Sequence, residues 1–202
     1  MSVLILFMRV LVVYSHPVET SFNASLHRDV VARLRAAGHE VDDCDLYAED
    51  FDPVMRRAER LGYHDVPRNR EPVRDYVERL LRAEAVVLCF PTWCFGLPAM
   101  LKGWFDRVFM PGVAFDFSDP RKVRPALTHL KRVSAVVTYG RPRWVAWAMG
   151  DPPRKIVTRY LRMLTGGNAR ICYHACYHMN TATPERLERF RARTLDAMAR
   201  LA

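Results

Sequence analysis

The sequence predicts a three-layer α/β domain built on a five-stranded parallel sheet of strand order 2-1-3-4-5. Three observations carry that expectation. First, short apolar runs alternate with segments of helical periodicity along all 202 residues, the pattern of β-α-β units joined by right-handed crossovers. Second, Arg9–Tyr14, Ala85–Phe90 and Lys131–Thr138 are largely unbroken Val/Leu/Ala runs, as strands covered on both faces are. Third, the loops after strands one, three and four carry unusual chemistry, whereas Tyr47-Ala48-Glu49-Asp50 after strand two is merely acidic. In open α/β sheets ligands gather outside the carboxyl ends of strands, where the order reverses. That distribution puts strands one, three and four at the centre and strand two at an edge.

Each element has its own signal. After Arg9–Tyr14, Phe22, Leu26, Val30, Val31 and Leu34 recur at helical spacing and the pattern stops at Gly38. Glu40–Leu46 is the second strand, more polar than the others. The charged stretch Tyr47–Arg70 offers one short helix after Pro53, and Pro72 opens a helix with Val73, Tyr76, Val77, Leu80 and Leu81 on one face. Ala85–Phe90 feeds a turn and then a helix with Leu101, Trp104, Phe105 and Val108 together. Met110–Arg124 reads as a loop centred on Phe115 and Phe117, and Lys131–Thr138 as strand four. The aromatic segment Trp144–Met149 precedes a helix over Lys155–Leu164 that ends at Gly166-Gly167, with Trp147 expected in the core. Ala169–Met179 is strand five, and Thr183-Pro184 caps a last helix. No linker or repeat divides the chain, so residues 1–202 are expected to form one domain.

Composition narrows the partners. The net charge is +9, but 27 of 31 basic residues are arginine, scattered without a dense block. No recognition motif accompanies the charge, so no nucleic-acid role is expected; the positive field favours small anions such as nucleotide phosphates. Five cysteines, an odd set without a secretory signal, point to reduced thiols in a cytoplasmic protein. The apolar opening, Ser2–Tyr14, is interrupted by Arg9 and too short to span a bilayer, so no stable membrane insertion is expected.

The stretch around which the chain is organised is Phe90-Pro91-Thr92-Trp93-Cys94-Phe95-Gly96-Leu97-Pro98 and the helix after it. The turn is aromatic and poor in glycine, which suits a flat ring better than a phosphate. The hydroxyl and amide groups of Thr20, Ser21 and Asn23 crowd the start of the first helix. There they either cap it or add to an anion site at its N-terminus. Cys172, His174, Cys176 and His178 alternate along strand five, but four such residues extend too far to close on one tetrahedral ion, and no metal is expected. Cys94 has no visible activating neighbour and is expected to pack.

The segment His16-Pro17-Val18-Glu19-Thr20-Ser21-Phe22-Asn23 resembles the first loop of the flavodoxin-like NAD(P)H:quinone oxidoreductases. Phe90-Pro91-Thr92-Trp93-Cys94-Phe95-Gly96-Leu97-Pro98-Ala99-Met100-Leu101-Lys102-Gly103-Trp104-Phe105-Asp106-Arg107-Val108 resembles their second signature. Asp45-Leu46-Tyr47 and Phe51-Asp52-Pro53 are similar to it as well, and the likeness is strongest up to Phe117. The resemblance implies a flavodoxin-like three-layer sandwich and a non-covalent flavin, FMN or FAD. It also implies NAD(P)H as co-substrate, a quinone-like acceptor, two-step hydride exchange and a homodimer. Carried over by residue, His16, Ser21, Phe22 and Asn23 would hold the ribityl-phosphate region. Pro91, Thr92, Trp93, Cys94 and Phe95 would lie along the isoalloxazine, and Thr138, Tyr139 and Gly140 would form the third flavin loop. Backbone amides near Trp93–Phe95 and Tyr139–Gly140 would meet charge on the reduced ring. Phe115 and Phe117 match an aromatic pair of the substrate pocket that commonly comes from the other subunit.

The sequence also departs from the family. Tyr139-Gly140-Arg141-Pro142 stands where relatives carry a glycine pair, and the tyrosine and histidine assigned to proton movement find no counterpart in Trp144–Pro153. Two other classes fit the same residues: a flavin-binding ancillary subunit of a potassium-efflux-type transporter, and an azo- or nitro-compound reductase.

Overall fold

The computed structural model describes residues 7–119 and 121–201; the first six residues, within the apolar opening, lie outside it. Branched apolar residues in short runs give the parallel strands β1 (Arg9–Tyr14), β2 (Glu40–Asp45) and β3 (Ala85–Pro91). Helix α1 (Phe22–Ala36) joins the first two strands, and α2 (Arg57–Leu61) and α3 (Arg74–Arg82) lie between the second and third. Helix α4 (Ala99–Val108) follows β3. Next come a hairpin of β4 (Phe115–Asp119) and β5 (Lys122–Pro125), and then strand β6 (Arg132–Thr138). Helices α5 (Arg143–Ala148), α6 (Pro152–Lys155) and α7 (Leu161–Leu164), strand β7 (Arg170–Cys176) and α8 (Pro184–Ala199) complete the order.

The main sheet runs β2-β1-β3-β6-β7 with every pairing parallel, which is the expected 2-1-3-4-5 order once the hairpin strands are set aside. Alternation along each strand sends side chains to two cores. Leu11, Val13, Leu88, Phe90 and Val133 pack with Trp104 and Phe105 of α4. Val10, Val12, Tyr14, Val87 and Cys89 pack under α1 and α8 with Leu26, Val30, Phe190 and Met198. The edge position of β2 matches its polarity, since only Cys44 in it is buried.

Several boundaries and one whole element differ from the sequence expectation. The loop around Phe115 and Phe117 is an antiparallel hairpin, pairing Phe115 with Pro125 and Asp116 with Arg124. Its alternation is too short to stand out from a loop. Pro72 does not open a helix; it sits inside a 3₁₀ turn over Arg68–Val73 from which α3 continues. The helix expected over Lys155–Leu164 begins at Pro152 and widens into a π turn at Ile156–Tyr160. Strand five ends at Cys176, three residues short of Met179, and α5 occupies the aromatic segment. Trp147 is not in the core: it is 78% exposed, and Trp144 is 71% exposed. Their short helix buries only Ala146, so both indoles are left on its outer side. Among the described residues, no helix is long and apolar enough to cross a membrane.

Candidate flavin site

The parallel register brings the loops after β1, β3 and β6 to one edge, because Tyr14 pairs with Cys89 and Pro91 pairs with Thr138. Hydrogen bonds then tie the loops to one another. The Thr92 amide donates to the Thr138 carbonyl at 2.8 Å, and the Thr92 hydroxyl reaches the same oxygen at 3.2 Å. Asn23 Nδ2 donates to Thr138 Oγ1 at 3.3 Å. The His16 ring meets the Trp93 indole edge-on at 5.8 Å between centroids. Residues separated by more than 110 positions in sequence thus share one rim (Asn23 and Thr138 are 115 apart).

The first loop is organised by His16 and Ser21. Ser21 is the N-cap of α1, its hydroxyl accepting the Ala24 amide at 3.1 Å, so the capping role is real. His16 Nδ1 accepts the Val18 amide at 3.0 Å and lies 3.3 Å from Ser21 Oγ. With Nδ1 accepting, the neutral ring carries its proton on Nε2, which leaves a donor for a ligand. Partial burial holds the His16 pKa below the ordinary histidine value, outweighing the Val18 contact, and favours that neutral form. Phe22 is directed elsewhere: the Arg191 guanidinium lies over its ring at 5.6 Å, and it packs toward the α1/α8 core.

The second loop is strained where it is most exposed. Trp93 and Gly96 exchange amide–carbonyl bonds at 2.8 and 3.3 Å, and the two residues between them, Cys94 and Phe95, have φ of 49° and 58°. Two successive left-handed residues in a two-residue turn form the type I′ geometry, which favours Asn-Gly. Here cysteine and phenylalanine occupy it, and the nearby Gly96 does not have positive φ. Such local violations collect at functional sites. The turn also explains why Cys94 is exposed rather than packed as expected. We expect Cys94→Val to unfold at lower urea than Cys94→Gly, by about 1–2 kcal/mol, the cost of a side chain in left-handed backbone. The opposite order in equilibrium denaturation would contradict this turn.

In the third loop, Tyr139 does not line the rim. Its side chain is 1% exposed, its amide is used by the Cys176 carbonyl at 2.8 Å, and its carbonyl accepts the Met179 amide at 2.9 Å. Its hydroxyl donates to Asp151 at 2.6 Å and bonds Tyr173. Asp151 also accepts from Tyr177 at 3.3 Å and pairs with Arg154. Burial and the neighbouring Tyr173 and Asp151 push the Tyr139 pKa far above the usual phenol value, so it stays protonated. Tyr139 thus braces the loop from beneath, and Gly140 backs onto the Asn180 side chain. The sequence reading missed Asp151, Tyr173 and Asn180; only the unusual tyrosine in the third loop hinted at them.

Polar groups at this edge also lack partners. Ser15 Oγ and Asn23 Oδ1 are buried and have no hydrogen-bond partner, although nearly all buried polar atoms have one. Among the described residues, the amides of Cys94, Phe95 and Gly140 also make no internal bond, whereas those of Trp93 and Tyr139 are already used. Trp93 adds an aromatic surface that is 41% exposed. An aromatic wall, free amides and unpaired hydroxyl and amide oxygens fit a flavin, with its flat tricycle and hydroxylated phosphate tail. Pro91 and Thr138 are buried beneath this rim and Thr92 is half-buried. Phe115 enters a cavity of about 320 Å³ beside it, with Tyr63, Leu97, Phe105 and Tyr160 in its wall. Phe117 packs edge-on to Phe115 at 5.0 Å but is 38% exposed on the hairpin and lies outside that wall.

The fold and the site together define an α/β protein with a three-loop ligand rim at its sheet edge. A family profile described as the flavodoxin-like fold matches residues 8–192, and the chain belongs to that family. It is 35% identical over 126 residues to NAD(P)H dehydrogenase (quinone) 1 of Cavia porcellus, covering 54% of this chain and 46% of that one. With the uncharacterized NAD(P)H oxidoreductase YcaK of Escherichia coli K12 it shares 29% identity over 144 residues, covering 71% and 65%. The chain thus spans about half to two thirds of the length of these curated relatives. Among solved structures, the NAD(P)H:quinone oxidoreductase of Methanothermobacter marburgensis superposes with a TM-score of 0.83 at 23% identity, over 98% of this chain and 100% of that one. An FMN-dependent NADH-azoreductase of Bacillus anthracis in complex with FMN gives 0.76 at 16% identity, over 96% and 99%. At these identities the superpositions speak for the fold.

Proposed function

We propose that the protein is a flavin-dependent oxidoreductase that takes electrons from NAD(P)H and delivers them to a quinone or similar small acceptor. The observation that carries this reading is the bonded convergence of three loops, Asn23 and Thr92 both on Thr138, around unpaired polar atoms and an exposed indole. A bound flavin, FMN or FAD, supplies hydride acceptance and release.

The chain's own residues bind and orient. His16 presents Nε2–H beside the start of α1, where the remaining free amides and the positive end of the helix favour a phosphate. Ser21 holds that imidazole and caps the helix at once. Ser15 and Asn23, with their unpaired oxygens buried at this edge, would hold the hydroxylated tail. Trp93 and Phe95 would support the flat ring, and the unbonded amides of Cys94, Phe95 and Gly140 would stabilise negative charge on it. Tyr139 keeps its proton and fixes the third loop, so it positions rather than transfers.

A homodimer belongs to the same reading. Phe117, Trp144, Trp147 and Met149 are exposed, and large apolar side chains of this kind suit a second copy. Phe117 would then reach the partner's acceptor site. Light scattering on the purified protein should give twice the chain mass; a monomer at micromolar concentration would remove Phe117 from the site.

The central test is kinetic. The protein, loaded with FMN or FAD, should lose its flavin absorbance on stopped-flow mixing with NADH or NADPH and regain it on adding a quinone. No reduction by either nucleotide ends the proposal. An azo dye used in place of the quinone distinguishes the reductase classes by their relative kcat/KM.

A further inference from the structure

We propose a second ligand site, far from the flavin rim: a basic cavity at the amino-terminal ends of β6 and β7 that binds a small phosphate-type oxyanion. The cavity has a volume of about 260 Å³ and is lined by Arg132, Ser134, Arg170, Cys172, His174 and Arg200. Its chemistry follows from register. Arg132 pairs with Arg170 and Ser134 with Cys172 across the two parallel strands. Alternate residues share a face, so His174 continues the row that Arg170 and Cys172 begin. Arg200, the C-cap of α8, closes the row from the next layer.

Among the described residues nothing acidic lines the cavity, in contrast to several other arginine sites of this molecule. Arg79 is neutralised by Asp42 and Glu49, Arg107 by Glu59, and Arg191 by Asp29. The cleft that gathers Arg9, Arg79 and Arg82 also holds Glu40 and Asp42. In the β6/β7 cavity, by contrast, the interactions of Arg132 are with backbone oxygens, Nε reaching the Leu201 carbonyl at 2.9 Å and a terminal nitrogen reaching that of Lys131 at 3.2 Å. Neither Arg170 nor Arg200 makes an ion pair with a carboxylate among the described residues.

His174 adds a ring nitrogen to this wall: its Nε2 is buried and makes no hydrogen bond with the described residues. The carboxyl end of α8 places about half a negative charge nearby, which three guanidiniums outweigh. Guanidinium forks match the paired oxygens of a phosphate, and Ser134 adds a hydroxyl. The flavin rim cannot share this ligand: Arg132 and Thr138 stand at opposite ends of β6, about 20 Å apart at roughly 3.3 Å per residue.

Calorimetric titration of the flavin-saturated protein with inorganic phosphate tests the site, with sodium chloride holding the ionic strength. One saturable site per chain is expected. Arg170→Glu and Arg200→Glu should each weaken it by on the order of tenfold, the size of one lost charge-assisted contact, with flavin content unchanged. Arg35→Glu and Arg162→Glu remove the same charge from exposed positions elsewhere and should leave the affinity unaltered. In the histidine NMR spectrum, phosphate should shift the His174 resonances, identified by their loss in His174→Phe. Absence of saturable heat, or equal weakening by all four arginine variants, overturns the proposal. Citrate binding more tightly than phosphate overturns the phosphate assignment in favour of a carboxylate ligand.

Discussion

Arg107→Ala should lower the melting temperature by roughly 10 °C. Arg107 lies on α4, within the stretch that resembles a flavin signature, yet it faces away from the flavin rim. Its Nε donates to Glu59 Oε2 at 3.1 Å, its terminal nitrogens bond Glu59 Oε1 and the Asp52 carbonyl, and its guanidinium lies over the Phe51 ring at 5.5 Å. The arginine and glutamate side chains are only 9% and 17% exposed. Truncating the arginine leaves the Glu59 carboxylate without its counter-charge, which costs about 3–5 kcal/mol when such a pair is buried. A chain of this size loses about 2–4 °C per kcal/mol. Replacing both partners together, as Arg107→Met with Glu59→Leu, should recover much of the loss, because no buried charge then stands alone. Thermal denaturation of the two single variants and the double variant measures the coupling. A double variant as damaged as the sum of the singles would mean the pair is not the cause.

Gly103→Ala should also destabilise the chain, though less than Arg107→Ala, against the usual benefit of alanine in a helix. A Cβ at position 103 would stand 2.2 Å from the Pro53 carbonyl oxygen and 2.5 Å from Pro53 Cα. These are backbone atoms, which cannot rotate aside, so α4 or the segment after β2 must move. Overpacking of this kind costs about 1–3 kcal/mol and occasionally more, against a gain of about 1 kcal/mol from helix propensity. Contacts this short with backbone put the cost at the top of that range, so the net expectation is a loss of about 2 kcal/mol, seen as a lower urea midpoint with an unchanged slope. Because α4 is joined to the Trp93–Gly96 turn, flavin affinity should fall as well. A stability equal to or above that of the parent chain would mean that α4 does not sit this close to Pro53.

Residues near one another in sequence were the easiest to interpret. The periodicity of Phe22–Leu34 and the apolar runs of β1, β3 and β6 reflect local preference reinforced by burial, and both operate on neighbours in the chain. The Ser21 cap was legible for the same reason. The Phe115–Phe117 hairpin was not, because its pairing with Arg124 and Pro125 adds only a few residues of alternation. Trp147 misled because apolar composition says nothing of orientation; α5 has only a single buried side chain, Ala146, to anchor it. Cys94 misled because its exposure depends on two left-handed residues in a sequence without the glycine such a turn prefers.

By itself the sequence determined the alternation of strands and helices, the strand order and the three loops that meet, since each follows from burial patterns and loop chemistry along a continuous segment. Only the tertiary structure decided what those loops present to one another. Thr138 receives both Asn23 and Thr92, Tyr139 turns inward to Asp151 and Tyr173, and Arg132, Arg170, His174 and Arg200 converge at the far end of the sheet. These are contacts between residues distant in sequence, fixed by strand register and layer packing, and local patterning along the chain does not encode them.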